Sequence, residues 1–243
     1  MSGDPDKVQT ARQVLDDAVR EHAPASFSSS FGVEDMVLLD LIAKDGLPVE
    51  VFTLDTGRLH PETLDLVERA RDHYGVAIRV LYPEAAALEG FVTAQGPNAF
   101  YRSVELRKQC CAIRKVEPLK RALQGRKLWI TGLRRSQAVT REALPVLSFD
   151  DGYGLWKLSP LADWSADEVW GYVRAHGVPV NALHAKGFPS IGCAPCTRAI
   201  QPHEHERAGR WWWEQPEQKE CGLHLAPDGR LVRAPKAEAG ETV

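Results

Sequence analysis

Five cysteines occur in 243 residues, and their spacing sorts them into an adjacent pair, Cys110 and Cys111, a CxxC pair, Cys193 and Cys196, and a single thiol, Cys221. The two-residue gap of "CAPC" lets both thiolates reach one metal centre. The adjacent pair in "RKQCCAIRK" cannot easily bond to itself, because that ring strains the peptide between the two residues. Four thiolates suit either one zinc ion or one 4Fe–4S cluster. Adjacent side chains point in different directions and do not readily share one compact tetrahedral ion. A cubane can take them at different irons, so iron–sulfur is favoured. Such a cluster with its four thiolates is a buried anion of charge about −2 and needs compensation. Arg107, Lys108, Arg114 and Lys115 flank the adjacent pair and can supply it. The fifth thiol, Cys221 in "KECGLH", is left for chemistry. A cysteine attacks as thiolate, which a cationic environment favours. Lys219, Arg207 and Arg210 can supply that field, with His224 three residues on. The plain alternative is a spare surface thiol.

These groups need a scaffold, and the chain alternates strand and helix signals. Helical spacing runs over residues 8–22 and "VEDMVLLDLIAKDG", and a further helix starts at Pro61, a favoured first helical position. Strands are expected in "ASFSSSF", "PVEVFTLDTG", "VAIRVLYP" and "RKLWITGLRR". A late helix is signalled in "WSADEVWGYVRAHG", with a capping box from Ser165 and Glu168 and a stop at Gly177. The alternation predicts an α/β fold, a mainly parallel sheet with helices on both faces. In such sheets ligands bind beyond the carboxyl ends of the strands. Three polar or basic turns fall there: "SSSFGVED" with Ser28, Ser29, Ser30 and Gly32; "LDTGRLHPET" with Asp55, Thr56 and Arg58; and "TGLRRSQ" with Gly132, Arg134 and Arg135. None is a Walker A loop or a GxGxxG turn.

Composition bounds the rest. With 44% hydrophobic residues, 26% charged residues and a net charge of −3, the chain reads as an ordinary globular protein without a nucleic-acid-binding surface overall. Its basic residues bunch locally, which suits a small anionic ligand. No apolar run approaches a membrane span, and the polar N-terminus has no apolar signal region, so the cytoplasm is the expected location. Structural disulfides are rare there, which again points the cysteines toward metal or thiol chemistry. One domain is expected over 1–225, with the cluster site and a mobile, lid-like catalytic segment within 186–225 and a flexible tail over 226–243.

"SFSSSFGVED" and "LDTGRLHPET" resemble the sulfonucleotide reductases, relatives of the ATP pyrophosphatases. "CCAIRKVEPL", "GCAPCTR", "HERAGRWWW" and "KECGLH" look like the adenylyl-sulfate reductase branch, and the resemblance covers roughly residues 26 to 225. It implies an adenine nucleotide α-hydrolase-like fold and one 4Fe–4S cluster on Cys110, Cys111, Cys193 and Cys196. It also implies thioredoxin-dependent reduction of adenosine 5′-phosphosulfate to sulfite and AMP, in sulfate assimilation and cysteine biosynthesis. Cys221 would be the nucleophile that forms an S-sulfocysteine. Lys115, Arg207, Arg210 and His224 would contact the phosphosulfate, while Ser29, Ser30, Asp55 and Arg58 line the nucleotide site with Arg134 nearby. A homo-oligomer is possible within the resemblance. Two rival enzymes are a reductase of 3′-phosphoadenosine 5′-phosphosulfate, or of both nucleotides, and a tRNA-thiolating pyrophosphatase, which the absent SGGxDS loop disfavours. A non-enzymatic four-cysteine metal module would leave Cys221 and the strand-end loops without a role.

Overall fold

A computed structural model describes residues 5–137 and 143–215. Helix α1 (Pro5–Glu21) leads into strand β1 (Ala25–Ser28), followed by α2 (Val33–Lys44), β2 (Val49–Leu54), α3 (Pro61–Tyr74), β3 (Ile78–Leu81) and α4 (Ala85–Gln95). Helix α5 (Val104–Cys111) continues through a π-helical turn, Ala112–Val116, into α6 (Glu117–Leu123). Strands β4 (Leu128–Ile130), β5 (Leu147–Asp150) and β6 (Leu155–Leu158) precede α7 (Ala166–His176). Beyond α7 the described chain holds short 3₁₀ turns, as its loop-rich sequence suggested.

The six strands form one sheet in the order β3-β2-β1-β4-β6-β5. β1 lies at its centre, parallel to β2 (Ala25 opposite Val49) and to β4 (Ala25 opposite Leu128). Only β5 runs antiparallel, as the outer arm of a hairpin with β6. Its turn passes through "DDGYG", where Gly154 adopts φ 67°. This hairpin was not anticipated from the sequence: β5 is only four residues long, and its two apolar residues, Leu147 and Phe149, are exposed rather than packed in a core.

The pleat sends alternate strand residues to two different cores. Phe27, Val51, Leu128, Ile130 and Leu158 pack against α1, α2, α3 and α7. Phe52, Trp129 and Leu155 face the other way, onto Leu119, Ala122 and Leu123 of α6. Helices therefore cover both faces. Double coverage favours apolar residues on both faces, as in β4, where Leu128, Trp129 and Ile130 are all buried; β1 buries Ser26 between Ala25 and Phe27. The Ser165–Glu168 capping box and the left-handed Gly177 cap of α7 occur as expected. No helix among the described residues is long and apolar enough to cross a membrane.

Candidate functional site

The carboxyl ends of β1, β2 and β4 open into a cavity of about 250 Å³. After β1 the chain turns sharply. The Ser29 amide donates to Phe52 O at 2.8 Å, and the Ser30 amide and hydroxyl both donate to Asp35 Oδ2, at 2.6 and 2.7 Å. Phe31 between them is held at φ 59°, a left-handed conformation that a bulky residue adopts only when its surroundings compel it. Its ring is fully buried, which supplies that compulsion. The result presents Ser29, Ser30 and Gly32 to the cavity just ahead of the α2 N-terminus. Asp35 is the keystone. Burial pushes its carboxyl up to about 6, against the Ser30 hydrogen bonds that pull it down. Gly132 follows β4 and passes so close that a Cβ there would lie 2.1 Å from Asp35 Oδ1.

Four cysteines line a second, smaller pocket beside the first. Cys110 and Cys111 end α5. The π-helical turn that follows inserts an extra residue into the helical register, and such turns recur at functional sites. It brings Arg114 and Lys115 onto the pocket wall. Cys193 and Cys196 sit on a 3₁₀ turn closed by the bond from Cys196 N to Cys193 O at 2.9 Å. The "DTGR" turn after β2 braces that loop. Thr56 Oγ1 lies 3.3 Å from Cys193 Sγ, and the Ala194 amide donates to Arg58 O at 2.8 Å. Arg114 donates to Thr56 O at 2.5 Å, so helix, turn and CxxC loop form one connected unit.

The thiols and cations perturb each other strongly. Burial raises the Cys110 thiol. Burial, reinforced by the nearby Cys193, pushes Cys196 up to about 12. Burial acts in the same direction on Cys193, but Lys115, the Thr56 hydroxyl, Arg210 and Arg114 together bring it below its ordinary value. Burial thus holds Cys110 and Cys196 in the neutral form, and a cationic group among the four would favour the thiolates, as coordination to metal does by deprotonating such thiols outright. All four are free of disulfides. Among the described residues no three Cys, His, Asp or Glu side chains converge closely enough for a single ion. Four thiols around one pocket are nonetheless the soft donors that a metal ion or an iron–sulfur group takes.

Lys115, Cys193 and Arg210 line both cavities and form the wall between them. Ser29, Ser30 and Arg207 join them around the larger one. The remaining expected residues stand elsewhere. The Asp55 carboxylate accepts from Gly57 N at 2.8 Å and caps its own turn. Arg58 donates to Asn98 Oδ1 at 3.2 Å and lies over Phe100, on the cysteine side. Arg134 is buried in an ion-pair set with Glu34 at 2.8 Å and Glu206 at 3.4 Å, behind the cavity lining. Arg107 lines the cysteine pocket and is in addition paired with Glu214. Cys221 and His224 lie outside the described residues, as does the tail over 226–243. Sequence reading missed Asp35, Glu34, Glu206, Trp211 and Glu214. In sequence Asp35 and Glu34 look like ordinary first-turn helix acids, and nothing local distinguishes Glu206 or Glu214.

Fold and site together define an α/β nucleotide-type protein whose strand-end cavity shares a cationic wall with a four-cysteine pocket. Residues 24–199 match the family described as the phosphoadenosine phosphosulfate reductase domain, and the chain belongs to that family. It is 52% identical over 220 residues to the adenosine 5′-phosphosulfate reductase of Allochromatium vinosum, covering 90% of this chain and 86% of that one. The Burkholderia cepacia protein of the same name is 51% identical over 219 residues, covering 90% and 88%. Among solved structures, the phosphoadenylyl-sulfate reductase of Candida auris superposes with a TM-score of 0.68 at 29% identity, over 79% of this chain and 90% of that one. Candida glabrata FMN adenylyltransferase superposes with a TM-score of 0.58 at 19% identity, over 81% and 65%, a likeness of fold alone. These neighbours bear out the adenine nucleotide α-hydrolase-like fold.

Proposed function

We propose that the protein reduces adenosine 5′-phosphosulfate to sulfite and AMP, with reduced thioredoxin as electron donor, as a step of sulfate assimilation. The observation that carries this reading is the shared wall: Lys115 and Arg210 face a nucleotide-sized cavity on one side and four cysteines on the other. The relatives named above support the substrate. Adenosine would occupy the strand-end cavity, with the phosphosulfate against Lys115, Arg207 and Arg210. The Cys221 thiolate attacks the sulfur, the S–O bond to the phosphate breaks, and AMP leaves with that electron pair, giving Cys–S–SO₃⁻. His224 is assigned to the phosphosulfate in the same step. A thioredoxin thiolate then attacks Cys221 Sγ and displaces sulfite, and the second thioredoxin thiol resolves the mixed disulfide. The two electrons thus come from one dithiol. Cys110, Cys111, Cys193 and Cys196 would hold a 4Fe–4S cluster, whose contribution is structural and electrostatic rather than electron transfer.

Glu34 and Glu206 both line the cavity and share Arg134 between them. The relatives named adenosine 5′-phosphosulfate reductase favour that nucleotide over its 3′-phosphorylated analogue. A comparison of kcat/KM for the two nucleotides checks the preference. Intact-mass analysis after anaerobic mixing with adenosine 5′-phosphosulfate tests the chemistry. Wild type should gain one SO₃ and Cys221→Ser none. A wild type without the adduct rules out the S-sulfocysteine route.

A further inference from the structure

The α5 helix that ends in the adjacent cysteines also grips the chain leading to Cys221. Arg107 is fully buried and donates through Nε and Nη2 to the two carboxylate oxygens of Glu214, at 2.9 and 2.7 Å. Both side chains are almost sealed from water, at 1% and 3% exposure. The Arg107 guanidinium lies 4.8 Å from the centre of the Trp211 ring, and that of Arg210 lies 4.7 Å from it. Two guanidiniums thus contact one buried indole, and the Glu214 carboxylate offsets their mutual repulsion. Trp211 itself is held at φ 41° and donates its amide to Cys196 O at 3.1 Å. One short stretch is therefore fastened to the α5 helix and to the CxxC loop at once.

A fully desolvated ion pair adds little net stability compared with apolar packing of the same size, because removing both ions from water is costly. Its two parallel bonds do fix distance and orientation closely. Here the fixed object is the root of the catalytic segment. Cys221 follows Glu214 by seven residues, which bounds its reach to about 24 Å of extended chain. Arg210 lies four residues before Glu214 and faces the cavity. A root that wandered by a few ångströms would spread the thiol over a larger volume and lower the fraction of time it meets the sulfur in line.

We infer that Arg107 and Glu214 are positioning residues, a buried clamp that fixes where the Cys221 segment starts relative to the phosphosulfate. The inference rests on the assignment of Cys221 as nucleophile above. Cluster-loaded protein is prepared anaerobically as wild type, Glu214→Gln and Arg107→Lys. For each, iron per chain, equilibrium affinity for adenosine 5′-phosphosulfate and the single-turnover rate of SO₃ transfer to Cys221 at saturating nucleotide are measured. Glu214→Gln keeps the shape but not the charge, and Arg107→Lys keeps the charge but not the fork. Either variant should slow transfer at least tenfold, with iron content and affinity within twofold of wild type. If one variant fails to fold, the other carries the same reading. An unchanged transfer rate overturns the clamp. Iron lost in step with activity overturns it as well, in favour of a role in cluster retention, and so does an affinity loss larger than the rate loss. A wild type that forms no adduct instead removes the nucleophile assignment, a separate failure visible before any variant is compared.

Discussion

Lys115 offers the sharpest single test, because it stands on the wall common to both cavities. Replacing it by alanine removes one cation facing the expected position of a phosphosulfate that carries two negative charges. One pair of unit charges at ~4 Å in a partly solvated site interacts by about 4 kcal/mol. Arg207 and Arg210 remain around the same cavity, and water entering the gap recovers part of the loss. About half the interaction should then disappear, ~2 kcal/mol, or a fall of roughly 30-fold in kcat/KM. Thioredoxin-coupled sulfite release at varied nucleotide concentration measures it. KM should rise and transfer to Cys221 should slow, while iron per chain stays at the wild-type value. Lys115→Arg keeps the charge and should recover most of the loss. The deficit should also shrink at high ionic strength, where the wild type itself weakens. A kcat/KM within threefold of wild type would refute the electrostatic assignment. Iron lost in proportion to activity would refute it differently, by making Lys115 a structural part of the cysteine pocket.

Two further predictions follow from the scaffold. The folded-state pKa of Asp35, about 6, lies above its ordinary value of 3.8, so this group's contribution to stability is greatest below the lower value and is lost as pH rises through the higher one. It should amount to about 3 kcal/mol at most, and denaturant titrations of Asp35→Asn between pH 4 and pH 6.5 should lack that component; a variant curve parallel to wild type across this range would reject it. Ser165→Ala deletes the side-chain half of the α7 capping box and should cost about 1 kcal/mol, lowering Tm by about 2–4 °C with kcat unchanged. A kcat that falls with Tm would mean α7 supports the site although none of its residues lines the cavity.

Much of this molecule is readable from local sequence because its signals are local. The Ser165–Glu168 box, Pro61 at a helix start and the apolar run of β4 each act within a few residues. The grouping of Cys110 and Cys111 with Cys193 and Cys196 was legible too, since thiols in a CC and a CxxC pair have few other uses. Family resemblance then supplied roles that spacing alone leaves open, above all that of Cys221. The β5–β6 hairpin escaped because its outer strand is only four residues long, too short for its alternation to stand out.

What tertiary structure alone decided is how the charges are distributed. Arg107, Arg114 and Lys115 are near neighbours in sequence and look equivalent there. Folding sends Arg107 to Glu214, turns Arg114 onto the Thr56 carbonyl and gives Lys115 to the wall between the cavities. A helical register broken by one π turn separates them, and their partners lie 58 to 107 residues away. The turn of Asp55 and Arg58 shows a related limit: the Asp55 carboxylate caps it and the Arg58 carbonyl braces the CxxC loop, while Thr56 and Leu59 of the same turn line the cavity. Sequence specified which groups are available for anion and metal chemistry. Only the packing of distant segments assigned each one its partner, because a partner's identity depends on distances that no local pattern encodes.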